Sequence, residues 1–120
     1  MLFMIHVRHQ VLFETEGEKT VIRLFGEVDH HSAVGVRTQI DQKLLAERSK
    51  TVYLDLSRVD FMDSSGLGLI MGRLATVNRY GGKLILLDPS PAAKRMIRLA
   101  ALERVIQIQY SNSERSDSND

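Results

Sequence analysis

From residue 51 onward the chain alternates short β-prone runs with segments of helical spacing, and this alternation restricts the fold more than any other feature. Thr51-Val52-Tyr53-Leu54-Asp55-Leu56 and Lys83-Leu84-Ile85-Leu86-Leu87-Asp88 are runs suited to buried strands, and Arg104-Val105-Ile106-Gln107-Ile108 reads as a last one. Between the first two runs a helix is predicted from Ser64 to about Arg79, capped by Asp63 or Ser64 and stopped by Gly81-Gly82. Between the second and third, Ser90 is placed as N-cap and Pro91 at the first helical position, with Ala93, Met96, Ile97 and Ala100 lining the helix. Strand–helix–strand units close by right-handed crossovers, so their strands should run parallel.

Upstream, residues 6–15 and 19–28 read as two strands joined at Glu16-Gly17-Glu18 and paired antiparallel. Gly26 to Ser32 breaks that pattern, and Asp29 or Ser32 can cap a helix with Ala33, Val36, Ile40 and Leu44 at helical spacing. Ser57 to Asp63 reads as a loop. The expected order is ββαβαβαβ, an α/β fold with a four- to five-stranded mixed, mostly parallel sheet, an N-terminal hairpin and three main helices. Residues 1–110 form this one domain, and the polar tail 111–120 should be disordered.

With 120 residues the chain can bury a single core without disulfide or metal staples. Its formal charge of +1, with both signs scattered, gives no footprint for nucleic acid or an anionic membrane. Cysteine is absent, which removes thiolate chemistry and fits a cytoplasmic location. The apolar start at Met1 to Val7 is too short for a signal-peptide core, and no run spans a bilayer.

On a helical wheel, Leu67, Ile70, Met71, Leu74, Val77 and Asn78 gather on the side expected to pack on the sheet. Gly68, Gly72, Thr76, Ala75 and Leu69 lie opposite, where a solvated helix would carry charges; Leu69 is expected there as an exposed leucine. Each interior glycine costs about 1 kcal/mol of helix stability relative to alanine, so close approach by something should offset it. Either another element of the domain packs there or a partner protein docks. The second is favoured, because the other helices have the sheet to cover.

Ser64 and Ser65 open this helix behind Asp63. A serine at an N-cap commonly just satisfies a backbone N–H. A phosphate on Ser64 would meet unpaired N–H groups and a favourable helix dipole, sparing the fold. It would also add a charge of about −1.5 to −2 at the rim of a docking face. Facing one anionic group about 6 Å away at an effective dielectric near 20, each unit costs roughly 3 kcal/mol, about a hundredfold in affinity.

Other chemistries fit less well. Gly66, Gly68 and Gly72, with Asp88 after the next strand, resemble a dinucleotide fingerprint, but Met71 holds the place of its third glycine. A serine hydrolase elbow would need a glycine where Met62 or Asp63 stands. His30-His31, with His6 and His9, lack metal-ligand spacing; the adjacent pair better flanks a helix start or a binding edge. Neither catalysis nor a cofactor is expected.

Three stretches carry a family resemblance: Gly26-Glu27-Val28-Asp29-His30-His31-Ser32-Ala33, Phe61 through Gly68 with Gly72-Arg73, and Ser90-Pro91 leading into Lys94-Arg95. With Gly81-Gly82 they resemble the STAS domains of bacterial anti-sigma factor antagonists, nearest the sporulation branch. The resemblance implies that the unphosphorylated protein binds an ATP-bound anti-sigma factor with serine kinase activity and so frees a sigma factor. It implies phosphorylation at Ser64, reversal by a serine phosphatase, and partner contacts at Asp29, His30, His31, Asp63, Ser65, Gly66, Leu67, Gly68, Leu69 and Gly72. A stress-response partner switch is the alternative within the family; a nucleotide-binding domain is the alternative outside it. Relatives often end in a short apolar helix where this chain has its polar tail, which leaves self-association open.

Overall fold

A computed structural model describes residues 3–8 and 10–111. The hairpin strands are β1 (Phe3–Arg8), β2 (Val11–Glu16) and β3 (Lys19–Val28). The region expected as one strand, 6–15, is therefore two. β1 and β2 pair antiparallel up to Arg8 opposite Val11, a reversal that no Gly or Pro in the sequence between them announces. The second reversal falls where expected, with Gly17 at φ +61° between the paired Glu16 and Lys19.

Helix α1 (Ala33–Glu47) leads to β4 (Thr51–Met62), then α2 (Ser64–Arg79), β5 (Lys83–Leu87), α3 (Pro91–Leu99), a 3-10 turn (Leu102–Arg104) and β6 (Gln107–Gln109). The six strands lie in chain order, β1-β2-β3 antiparallel and β3-β4-β5-β6 parallel. Right-handed crossovers between neighbours in chain order put all three helices on one face of the sheet. Ile22, Leu24, Val52, Leu54, Leu56, Leu84 and Leu86 point to that face and form one core with Val36, Ile40 and Leu44 of α1, Ile70 and Val77 of α2, and Ile97 of α3. On the other face Arg23 pairs with Glu14 and with Asp55, 3.1 Å from Nε to Oδ2.

Two boundaries differ from the sequence reading. β4 continues through residues 57–62, expected as a loop, because β3 runs on to Val28 and offers its backbone for pairing; Met62 ends opposite Val28. Ser57, Arg58 and Asp60 are exposed while Val59 and Met62 are buried, with register shifts in the ladder between them. At the other end, Leu102–Arg104 winds into the 3-10 turn, which shortens the last strand to three residues. The tail begins held rather than free: the Ser111 amide and hydroxyl both donate to the Asp88 carboxylate at 2.7 Å. Residues 112–120 and His9 lie outside the described residues.

Candidate functional site

Parallel pairing of β3 with β4 fixes the site. Val28 opposite Met62 ends both strands at one edge, and the Asp63 amide donates to the Val28 carbonyl at 3.3 Å. The turn after β3 and the entrance to α2 are thereby neighbours, which brings Asp29, His30 and His31 beside Asp63, Ser64 and Ser65.

The Asp29 turn holds itself together. One carboxylate oxygen accepts from the amides of His31 (2.9 Å) and Ser32 (3.0 Å), and the Asp29 carbonyl accepts from Ala33 at 2.8 Å. The Ser32 hydroxyl makes no cap bond to α1; it donates to the Glu27 carbonyl at 2.8 Å. Asp29 is thus the residue that satisfies this helix start, and the backbone hydrogen bond from Ser32, then that from His31, holds its carboxyl below the ordinary carboxylate range. His30 and His31 are exposed, their rings 5.0 Å apart. Gln10, which sequence reasoning passed over, supports the turn from below: its amide donates to the carbonyls of Phe25 (2.6 Å) and Glu27 (3.0 Å) across an irregular stretch of β3. Nothing local marks Gln10, since its partners lie on the neighbouring strand.

Asp63 caps α2, its backbone extended and its Oδ1 accepting from the Ser65 amide at 2.8 Å. The Gly66 amide is taken by the Asp63 carbonyl at 2.9 Å. Unpaired N–H groups are the sequence expectation at this entrance, but the Ser65 and Gly66 amides are already engaged, one of them by a carboxylate. Ser64, the first helical residue, is exposed, and its side chain makes no hydrogen bond among the described residues. Gly81 and Gly82 close the helix with amide bonds to the carbonyls of Asn78 (3.0 Å) and Val77 (2.9 Å), Gly81 at φ +87°.

The glycines of α2 divide into two kinds. A Cβ on Gly66 would run into Met62, 3.0 Å from its sulfur, so Gly66 lets the first turn sit on the end of β4. A Cβ on Gly68 or Gly72 would meet nothing within 4 Å, so packing inside the domain does not demand either glycine. All three lie within the helix, leaving no glycine loop to cradle a dinucleotide phosphate, and Asp88 is committed to Ser111.

The helix is rotated from the expected wheel. Leu69, expected exposed, is buried at 3%, and Met71, expected inside, is 41% exposed. The cause is a second contact surface: α2 rests on the sheet and also on α1, where buried Arg73 places Nε 2.9 Å from Asp41 Oδ1. That contact is ionic, its angle outside hydrogen-bond geometry. The outward stripe is therefore Ser64, Gly68, Met71 and Ala75, with Phe61 exposed just ahead of it and Leu67 half-buried along its side. Of the expected contact residues, Asp29, His30, His31, Asp63, Ser65, Gly68 and Gly72 are at least partly accessible at this edge, whereas Gly66 and Leu69 belong to the packed interior.

No helix among the described residues is long and apolar enough to cross a membrane. The STAS domain family model matches residues 10–115. The anti-sigma F factor antagonist of Paenibacillus polymyxa is 35% identical over 103 residues, covering 86% of this chain and 87% of that protein. The solved structure of the anti-sigma factor antagonist SpoIIAA in its unphosphorylated form superposes with a TM-score of 0.70 at 30% identity, over 98% of this chain and 95% of that one. The Bacillus cell fate determinant SpoIIAA in its phosphorylated form gives 0.64 at 30% identity, over 98% of each chain. A sheet ordered along the chain, a helix entered through Asp63-Ser64-Ser65-Gly66, and these matches across most of its length agree: the chain belongs to the STAS domain family.

Proposed function

We propose that this protein is an anti-sigma factor antagonist governed by phosphorylation of Ser64. In this reading the unphosphorylated form docks on an ATP-bound anti-sigma factor with serine kinase activity, using the α2 stripe and the Asp29 turn. The sigma factor is thereby released in the cytoplasm. The kinase then phosphorylates Ser64, the complex separates, and a serine phosphatase restores the binding form. The sporulation branch is favoured by the Asp29-His30-His31 element and by the anti-sigma F relative.

The observation that carries this reading is the placement of Ser64: exposed, unbonded among the described residues, and at the head of a stripe that includes Gly68 and is flanked by Gly72, two glycines the fold does not need. A kinase needs a reachable hydroxyl, and a docking partner gains from a helix face without side chains. Because the Ser65 and Gly66 amides are engaged, a phosphate on Ser64 would project toward the partner rather than settle into the helix end. Its charge of about −1.5 to −2 then acts mainly on the complex.

Incubation with the cognate anti-sigma factor and ATP, followed by mass spectrometry, should place one phosphate on Ser64. Ser64→Ala should bind constitutively and Ser64→Asp poorly. A protein left unmodified at Ser64 while still binding that kinase contradicts the reading. Titration against a panel of sporulation and stress anti-sigma factors assigns the branch.

A further inference from the structure

Between the first turns of α1 and α2 lies a groove of about 320 Å³ whose lining includes Val34 and Arg37 from α1, Ser65, Gly68 and Leu69 from α2, and His30 at its rim. Its apolar part is open: Val34 is 58% exposed, and the missing side chain at Gly68 leaves the buried Leu69 as floor. An aliphatic group laid there would cover apolar surface on both helices.

Among the groove's described lining residues Arg37 is the one Lys, Arg, Asp or Glu. Asp41, one turn beyond Arg37, is taken by the buried Arg73. Arg37 is exposed, makes no ion pair among the described residues, and lies near enough to Arg73 for the two cations to repel. Asp29 and Asp63, at the same edge, face the backbone amides of their own turns and are not among the groove's described lining residues.

Building on the docking role proposed for α2, we infer that the interface extends onto α1: the groove seats an aliphatic side chain of the anti-sigma factor against Leu69 and Gly68, and a neighbouring carboxylate of that partner pairs with Arg37. This names the anion that the switch needs. Gly68, one turn on from Ser64 on the same helix face, lines the groove, so a phosphate on Ser64 comes up beside the partner's carboxylate and repels it. Arg37 and Gly68 are then selectivity residues for a partner bearing an aliphatic–acidic pair.

The test measures affinity for the cognate anti-sigma factor by calorimetry, using the full chain and its Arg37→Lys, Arg37→Glu, Gly68→Leu and Ser64→Asp variants. Thermal melts serve as the folding control, since Arg37 is exposed and Gly68 has open space around it. Arg37→Glu should weaken binding by about tenfold or more, Arg37→Lys by less, and the weakening should shrink as salt is raised. Gly68→Leu should weaken binding at every salt concentration. Reversing one partner carboxylate to Arg should restore Arg37→Glu. If Ser64→Asp weakens binding while Arg37→Glu and Gly68→Leu leave it unchanged, the groove is not the interface and only this inference is overturned. Tighter binding by Arg37→Glu overturns it too, because the partner group would then be a cation. If Ser64→Asp, Arg37→Glu and Gly68→Leu all bind like the parent chain, the docking role itself is refuted.

Discussion

Asp41→Asn removes a charge from the contact that holds α1 against α2 and leaves Arg73 in place. Arg73 is the more enclosed partner, with 7% of its side chain exposed against 34% for Asp41. Burial lowers the Arg73 pKa, Asp41 opposes that shift and Arg37 adds to it, yet a guanidinium remains charged at neutral pH. Stripping one partner from a fully buried pair costs about 3–5 kcal/mol. Because Asp41 is partly hydrated, the expected loss is nearer about 2 kcal/mol, or about 10 °C in a domain of this size. The opposite deletion should be milder: Arg73→Met leaves a carboxylate that water can reach, and its apolar chain fills the space. Urea unfolding of both variants at neutral pH is the assay, with the two-state fit checked by a second probe. A cost below about 0.5 kcal/mol for Asp41→Asn, or a larger cost for Arg73→Met, would refute the ranking by burial.

The glycines of α2 should respond with opposite signs. Gly66→Ala pushes a methyl group into Met62 and should lose about 1–3 kcal/mol; Gly68→Ala and Gly72→Ala, in open space, should each gain up to about 1 kcal/mol. Chemical denaturation decides this, and stabilisation at Gly66 or loss at both others contradicts the division. Gly72→Glu should fold normally and fail to bind the anti-sigma factor in a pull-down; retained binding would remove Gly72 from the interface. At Asp29 the folded carboxyl is held below its ordinary pKa, so the stability it contributes is fully present above the unfolded value and disappears as pH falls through the folded one. The amide resonances of His31 and Ser32 should accordingly shift only below the ordinary carboxylate range of about 3.9. A midpoint at or above that range contradicts the hydrogen bonding described for the turn.

Elements specified by local chemistry were legible in the sequence. Ser90-Pro91 opens α3, with the serine hydroxyl oxygen accepting from the Ala93 amide at 3.1 Å, and Gly81-Gly82 ends α2, Gly81 at positive φ and Gly82 where a Cβ would crowd Val77 and the Ser49 carbonyl. Features set by a distant neighbour were not legible. The split of the first expected strand follows from how β1 finds β2, and the extension of β4 past Leu56 follows from the length of β3. Leu69 and Met71 exchanged places because a wheel assumes one contact surface, whereas α2 has two. The same second surface buries Arg73 against Asp41 of α1. Ser64 and the Asp29 turn could be picked out individually, but their adjacency rests on Val28 lying opposite Met62.

Affinity for the cognate anti-sigma factor, measured before and after stoichiometric phosphorylation of Ser64, tests the account most directly. Phosphorylation should leave the melting curve of the free protein nearly unchanged and weaken the complex about a hundredfold for each unit of charge facing a partner anion. Equal affinities for the two forms, or a lost complex traced to an unfolded phosphoprotein, would contradict it.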